Sequence, residues 1–238
     1  MSPRFCKPGL AVNADSLAQI ALFAIPVILA VTFHEAAHGF VALHFGDRTA
    51  KDAGRVTLNP IRHIDLFGTI ILPLVLIVTH AGFIFGYAKP VPVNFSALRN
   101  PRLDMVWVAA AGPAMNMLLA FVSAVSLYGA GALDGDSAAL AGNMLLLSIQ
   151  LNIMLAIFNM LPLPPLDGSK VLAAFMPASM ARRYLNFGRY GMTVLLLLLI
   201  VVPILSAQSG IGFDIFGFLV QRPTDWLTRA LLVAVGRG

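Results

Sequence analysis

Residues 17–43 form an almost unbroken apolar run, yet three of its side chains, His34, Glu35 and His38, are ionisable. A helix of that length can cross the roughly 30 Å hydrocarbon core of a bilayer. Inside such a core only a helix or a closed barrel satisfies every backbone N–H and C=O group. Positions four apart lie on one helix face with Cβ atoms about 5–6 Å apart, so His34 and His38 can turn their imidazoles onto one ion. Glu35 adjoins the first histidine and faces a water beside such an ion rather than the ion itself, the arrangement of a helical His-Glu-x-x-His zinc site. A charged group at the centre of a membrane helix costs about 2.5–3.5 kcal/mol, which marks these residues as functional.

Composition places the whole chain in the same setting. Of the 238 residues 58% are hydrophobic and 11% are charged, against about 25% charged in a soluble domain. The sequence is that of an integral membrane protein. Its formal charge of +5 is spread over loops between apolar runs, a pattern that reports membrane topology and excludes a nucleic-acid-binding function. Cys6 is the only cysteine, so no intrachain disulfide forms, and a metal must be held by nitrogen and oxygen. The first fifteen residues read as a mature N-terminus, followed by an uncleaved helical anchor.

The first helix is expected over 17–44, with Asn13, Asp15 or Ser16 as its cap. A basic loop follows over 45–65, and then an interrupted apolar stretch over 66–85. Residues Gly86–Asn94 alternate proline and valine, which predicts an extended strand. A second long helix is expected over 104–129, where Gly112 and Asn116 share a face that a neighbour can approach closely. A third is expected over 139–161, with Ser148, Asn152 and Asn159 along one side. Pro162, Pro164 and Pro165 break it and deliver Leu166-Asp167-Gly168, which opens a short helix to about 176. A fourth apolar helix is read over 191–206, and Thr224–Val235 reads as a membrane-surface or packed C-terminal helix.

A catalytic zinc takes three protein ligands and keeps a position open, so the helix motif is one ligand short. His44 points about 120° away from the chelating face. His63, Asp65 and His80 lie in loop or uncertain segments, and Asp104 reads as a helix cap. Asp167 is set apart by its apolar flanks and by its place just after a proline break, where a broken backbone must be buried or must line a cavity; the alternative is a plain N-cap for the short helix 167–176. Asn159, the nearest upstream polar side chain, can serve as an oxyanion or substrate donor or as interhelical glue.

His34-Glu-Ala-Ala-His38, Gly112-Pro-Ala-Met-Asn116 and Asn159-Met-Leu-Pro-Leu-Pro-Pro-Leu-Asp-Gly168 together resemble the site-2 protease family of intramembrane zinc metalloproteases. The resemblance spans roughly residues 16–176, with the motifs in the family's order. It implies that His34, His38 and Asp167 bind one zinc, that Glu35 is the catalytic base, and that Asn159 assists at the oxyanion or substrate. Leu58–Asp65 and Gly86–Asn94 look like features of a compact bacterial branch, without the PDZ or cystathionine-synthase-like domains of other branches.

The expected architecture is therefore an all-α polytopic membrane protein. It has four to six transmembrane helices and a re-entrant or extended hairpin segment, and forms a single domain over 1–238 with its core at 16–176 and C-terminal helices at 190–236. The expected function is intramembrane endopeptidase cleavage of transmembrane protein substrates. Two other classes to weigh against it are a catalytically inactive membrane chaperone and a membrane metal transporter. Loops 45–65, 87–103 and 177–189 are basic, while 130–138 carries two aspartates and no basic residue. The positive-inside rule puts the basic loops and the active site towards the cytoplasm of a bacterial cell membrane. Because both flanks of 66–86 are basic, that segment must return to the side it left.

Overall fold

The structure is a computed structural model in which residues 14–72, 75, 86–131, 134–201 and 214–237 are described. Every regular element among them is helical, as expected. Among the described residues three helices are long and apolar enough to cross a membrane: residues 24–44 of α1 (Ala14–His44), α3 (Pro101–Ala130) and α4 (Gly135–Asn159). Helix α2 (Thr49–Asp52) lies in the first basic loop. After α4 come α5 (Asp167–Phe175), α6 (Ala178–Asn186), α7 (Gly188–Leu196) and α8 (Arg222–Ala234).

Helix α3 is the hub, packing on α1, α4 and α5. Its small residues explain how: Ala109, Gly112, Ala120 and Ala124 are buried and let neighbouring backbones come close. Ala120 and Ala124 meet Ile149 and Ile153 of α4, and Leu227, Leu231 and Leu232 of α8 cover that layer. The C-terminal segment is thus a packed helix. At the other end Ala42, Leu98, Met105, Val108 and Ala173 form a second cluster, which ties α1, α3 and α5 together beside the ionisable residues.

The flanks of the interrupted apolar stretch lie against each other. Residues 66–71 form a π-helical turn, capped by the Asp65 carboxylate accepting from Gly68 N–H at 2.7 Å. Tyr87 N–H donates to Gly68 C=O at 3.0 Å, and Thr69 Oγ1 donates to Tyr87 C=O at 2.9 Å. A Cβ on Gly68 would fall 2.5 Å from the Tyr87 ring, so glycine is what permits this approach. Residues 68 and 69 on one flank are therefore direct neighbours of Tyr87 on the other. The proposed break at Pro73 or Gly82, and His80 with it, lie outside the described residues.

Two expectations need correction. Residues 86–94 are non-helical but pair into no strand among the described residues, because their polar groups are satisfied by side chains and loop carbonyls. Asp104 is not the cap residue itself. It sits one turn inside α3, and its carboxylate reaches back to accept from Asn100 N–H at 2.7 Å.

The two basic loops are clasped by Asp47, a fully buried carboxylate. Its Oδ1 accepts from Thr49 N–H at 2.9 Å and from Thr49 Oγ1 at 2.5 Å, while Oδ2 accepts from Asn94 N–H at 2.7 Å. Burial raises its pKa, but these donors outweigh burial and hold it below the usual carboxylate range. A group with a depressed folded pKa stabilises the fold above its unfolded value and loses that contribution as pH falls through the folded one. The clasp is thus intact at neutral pH and weakens only in acid. Asp47→Ala should lower stability by about 2 kcal/mol, the scale of lost hydrogen bonds to a charged group. Denaturant titration in detergent would check this at pH 7, and the deficit should shrink in acid.

Candidate metal centre

Helix α1 presents His34 and His38 to α3 and to the first turn of α5. His34 Nε2 and His38 Nε2 are 3.1 Å apart, and each is 3.2 Å from Asp167 Oδ2. The three residues are 7%, 8% and 5% exposed, so the cluster is sealed from bulk solvent.

The outer ring nitrogens decide what the inner ones can do. His38 Nδ1 lies 2.7 Å from Val108 C=O, which can only accept, so Nδ1 carries the proton. Asn116 donates through Nδ2 to Ala30 C=O at 3.3 Å and to Asn152 Oδ1 at 2.8 Å. Its Oδ1 therefore accepts, and the donor 2.5 Å away is His34 Nδ1. Asn152 is oriented in turn by donating to Ser148 C=O at 2.8 Å. A relay from α4 through α3 thus fixes the tautomer of a histidine on α1. With both Nδ1 atoms donating outward, the two Nε2 atoms are the ring positions left to offer lone pairs, and with the Asp167 carboxylate they converge on one buried point, a donor set that suits a cation.

The dimensions suit zinc. Three donors at about 2.0–2.2 Å from a tetrahedral zinc lie about 3.3 Å from one another, close to the separations found here. Gly112 of α3 backs the cluster, and a Cβ there would come within 2.5 Å of both Nε2 atoms. Glycine keeps the space beside the donors clear. Among the described residues His34, His38 and Asp167 are the group of at least three His, Cys, Asp or Glu residues able to share an ion.

Asp167 arrives through a loop with little freedom. Pro162 to Leu166 connects α4 to α5, and Gly168 and Gly191 let other backbone press so close that a Cβ at either would collide with carbonyls of Met160 or Pro164. Tyr184 Oη holds Pro162 C=O at 2.7 Å, and Ser169 Oγ holds Leu166 C=O at 2.6 Å. Leu166 is the cap and Asp167 is the first helical residue, where the positive end of the helix dipole favours a carboxylate. Its other oxygen, Oδ1, accepts from Lys170 Nζ at 2.8 Å.

The other candidates sit elsewhere. His44 is exposed, with its ring against Phe45. His63 is buried with Nε2 on Thr57 C=O at 2.9 Å, and Asp65 caps a turn. Glu35 lies on α1 between the two histidines, with Oε2 accepting from Val91 N–H at 2.7 Å. Asn159 ends α4 half-buried, with one amide N–H donated to Leu155 C=O at 3.0 Å. Sequence reasoning missed the second layer: Asn116, Asn152, Lys170 and Val108 C=O. The polar stripe on α4 and the Gly112–Asn116 face were visible, but not their target.

Helices long and apolar enough to span a membrane, packed around a buried His-His-Asp group that could hold a metal ion, define the class to which the chain is to be compared. The pattern described as Peptidase family M50 matches residues 22–135 and 129–202. The chain belongs to that family, the site-2 proteases, and is a metalloprotease of it. It is 42% identical over 209 residues to the Bacillus subtilis protein named "Putative zinc metalloprotease YwhC", a match covering 83% of this chain and 91% of that one. It is 29% identical over 175 residues to "Putative zinc metalloprotease Rip2" of Mycolicibacterium smegmatis, covering 73% of this chain and 64% of that one. Rip2 of Mycobacterium tuberculosis is 29% identical over 182 residues, 75% and 66% of the two chains. No solved structure matches the chain.

Loss of a partner that orients a ligating histidine typically costs about 10–100-fold in metal affinity. Asn116→Ala should weaken zinc binding by that factor, and Asp167→Ala should lower zinc occupancy as far as His38→Ala does. Competition with a chromophoric chelator on detergent-folded protein measures both, and unaltered affinity in Asn116→Ala would show that the relay is dispensable.

Proposed function

We propose that this chain is an intramembrane zinc endopeptidase that hydrolyses peptide bonds within or near transmembrane segments of membrane-protein substrates. The observation that carries the reading is the convergence of three buried lone-pair donors beside a glutamate, in a chain of a metalloprotease family. His34, His38 and Asp167 would hold one zinc and leave a position open. Bound there, zinc supplies Lewis acidity, which makes water a competent nucleophile near neutral pH.

The protein's own groups do the rest. Glu35 has Oε2 held by Val91 N–H, which leaves Oε1 to take a proton from the attacking water and pass it to the departing amine. Burial around the cluster keeps bulk water out, so the interactions there act at low dielectric. Asn159 uses one amide hydrogen on Leu155 C=O, and the other is the donor for a developing oxyanion or for substrate backbone.

The membrane setting follows from the spans, and the side from charge. We place the active site towards the cytoplasmic face of a bacterial cell membrane, because the basic loops gather at the end of the bundle that carries the metal centre. The hydrogen bond from Arg99 N–H to Phe45 C=O, 3.0 Å long, and the Asp47 clasp tie those loops together.

Two measurements test the reading. Glu35→Gln should keep stoichiometric zinc and lose cleavage of a transmembrane peptide. Cleavage at the parent rate would remove Glu35 from the mechanism, and loss of metal transport alone would make the chain a transporter. Single cysteines at Thr49 and Ser96, in a Cys6→Ser background, should both escape an impermeant thiol reagent added to intact cells. Labelling of Ser96→Cys alone would mean that residues 66–86 simply cross the bilayer.

A further inference from the structure

The residues from Lys89 to Asn94 lie across α1 at the level of Glu35, and nearly every polar group that positions them points inward. Lys89 N–H donates to His63 C=O at 2.9 Å, and Lys89 C=O accepts from Arg55 Nη2 at 2.7 Å. Asn94 N–H is held by Asp47. Between these anchors Val91 N–H donates to Glu35 Oε2 at 2.7 Å. Pro90 and Pro92 flank it, with φ fixed near −65° and no N–H of their own.

The fit against the helix is equally specific. Gly39 lies one turn beyond Glu35 and so on the same face. A Cβ there would sit 3.3 Å from Val91 Cγ1 and 3.3 Å from Val56 Cγ2, tighter than ordinary contact. Glycine lets the segment close onto α1, and the Val91 side chain is buried in consequence. Arg55, which holds the Lys89 carbonyl, is itself buried. This is a strap anchored on both sides of one amide, with that amide aimed at one carboxylate oxygen.

The same inventory argues against residues 89–92 as a template for an incoming substrate strand. Lys89 and Val91 have spent their N–H groups inside the protein, and the two prolines have none. Pairing with an extended peptide needs donors as well as acceptors.

We propose that the backbone N–H of Val91 is the positioning group for Glu35, and that the strap from Lys89 to Asn94, held by Arg55 and Asp47, exists to present it. This rests on the reading of Glu35 as the base. A glutamate has three side-chain torsions, and a carboxylate without a fixed partner samples several orientations. Fixing Oε2 leaves one oxygen facing the reacting water in a defined direction, the kind of preorganisation whose loss by a small misplacement costs a large rate factor.

The test removes that donor and keeps every side chain. Incorporation of α-hydroxyisovaleric acid at position 91 of the full chain turns the Pro90–Val91 amide into an ester with the same side chain. Cleavage of a transmembrane peptide should then show kcat lowered about 10–100-fold, with KM and zinc content within about twofold of the parent, because misplacement of the base does not touch substrate or metal binding. The same ester at position 93 should leave kcat close to the parent value.

An unchanged kcat in the position-91 ester would overturn the proposal. So would a raised KM with kcat intact, which would make the strap a substrate-binding element. Glu35→Gln keeps the two levels apart. If that variant is inactive while the ester is fully active, Glu35 remains the base and only the strap's role fails.

Discussion

The arrangement at the heart of the bundle turns on the outer nitrogens of two imidazoles donating to fixed acceptors. Val108 C=O forces one and Asn116 Oδ1 forces the other, and only then do both inner nitrogens offer lone pairs to the point where Asp167 ends. A carbonyl cannot switch from accepting to donating, so the first constraint is absolute. The second is earned by a relay, because an amide can flip. Ala30 C=O and Asn152 both take hydrogens from Asn116 and so settle which way its oxygen faces. Helices α1, α3 and α4 are thus tied to one another by directional bonds as well as by apolar packing.

The second theme is close approach made possible by absent side chains. Gly112 clears the space beside the two imidazoles, Gly68 admits Tyr87, Gly168 admits the loop that carries Asp167, and Gly39 admits the strap. Hydrophobic burial gives helices in a bilayer little reason to prefer one neighbour, because lipid is as apolar as leucine. Small residues and buried hydrogen bonds supply that preference here. Both coincide with the buried His-His-Asp group, where Gly112 and Asn116 of α3 meet the histidines of α1.

A third feature is the division of labour within the polar groups of the centre. Asp167 gives one oxygen to the histidines and the other to Lys170, while Glu35 gives one oxygen to Val91 and keeps the other. Each carboxylate has one oxygen held by a donor outside the histidine pair. The two segments that do the holding, the first turns of α5 and the strap at 89–94, approach α1 from different parts of the chain.

The sequence alone determined the apolar spans and the shared face of His34 and His38, because these rest on local rules, and it singled out Asp167 by its place after a proline break. Two histidines four apart share a helix face whatever surrounds them, and a run of apolar residues must be helical in a bilayer; that Asp167 meets the histidines is what the fold added. The sequence also showed that the flanks of 66–86 belong together, since loop charge follows topology. Tertiary structure decided the rest. His34 meets a side chain 82 positions away and His38 a carbonyl 70 positions away, and no periodicity reaches that far. Asn116 therefore read as a helix contact, Asn152 as part of a stripe, Asp104 as a cap residue, and 86–94 as a strand. Valines and prolines do favour extended backbone, but whether it pairs with a strand or straps a carboxylate depends on which donors and acceptors the fold brings opposite it.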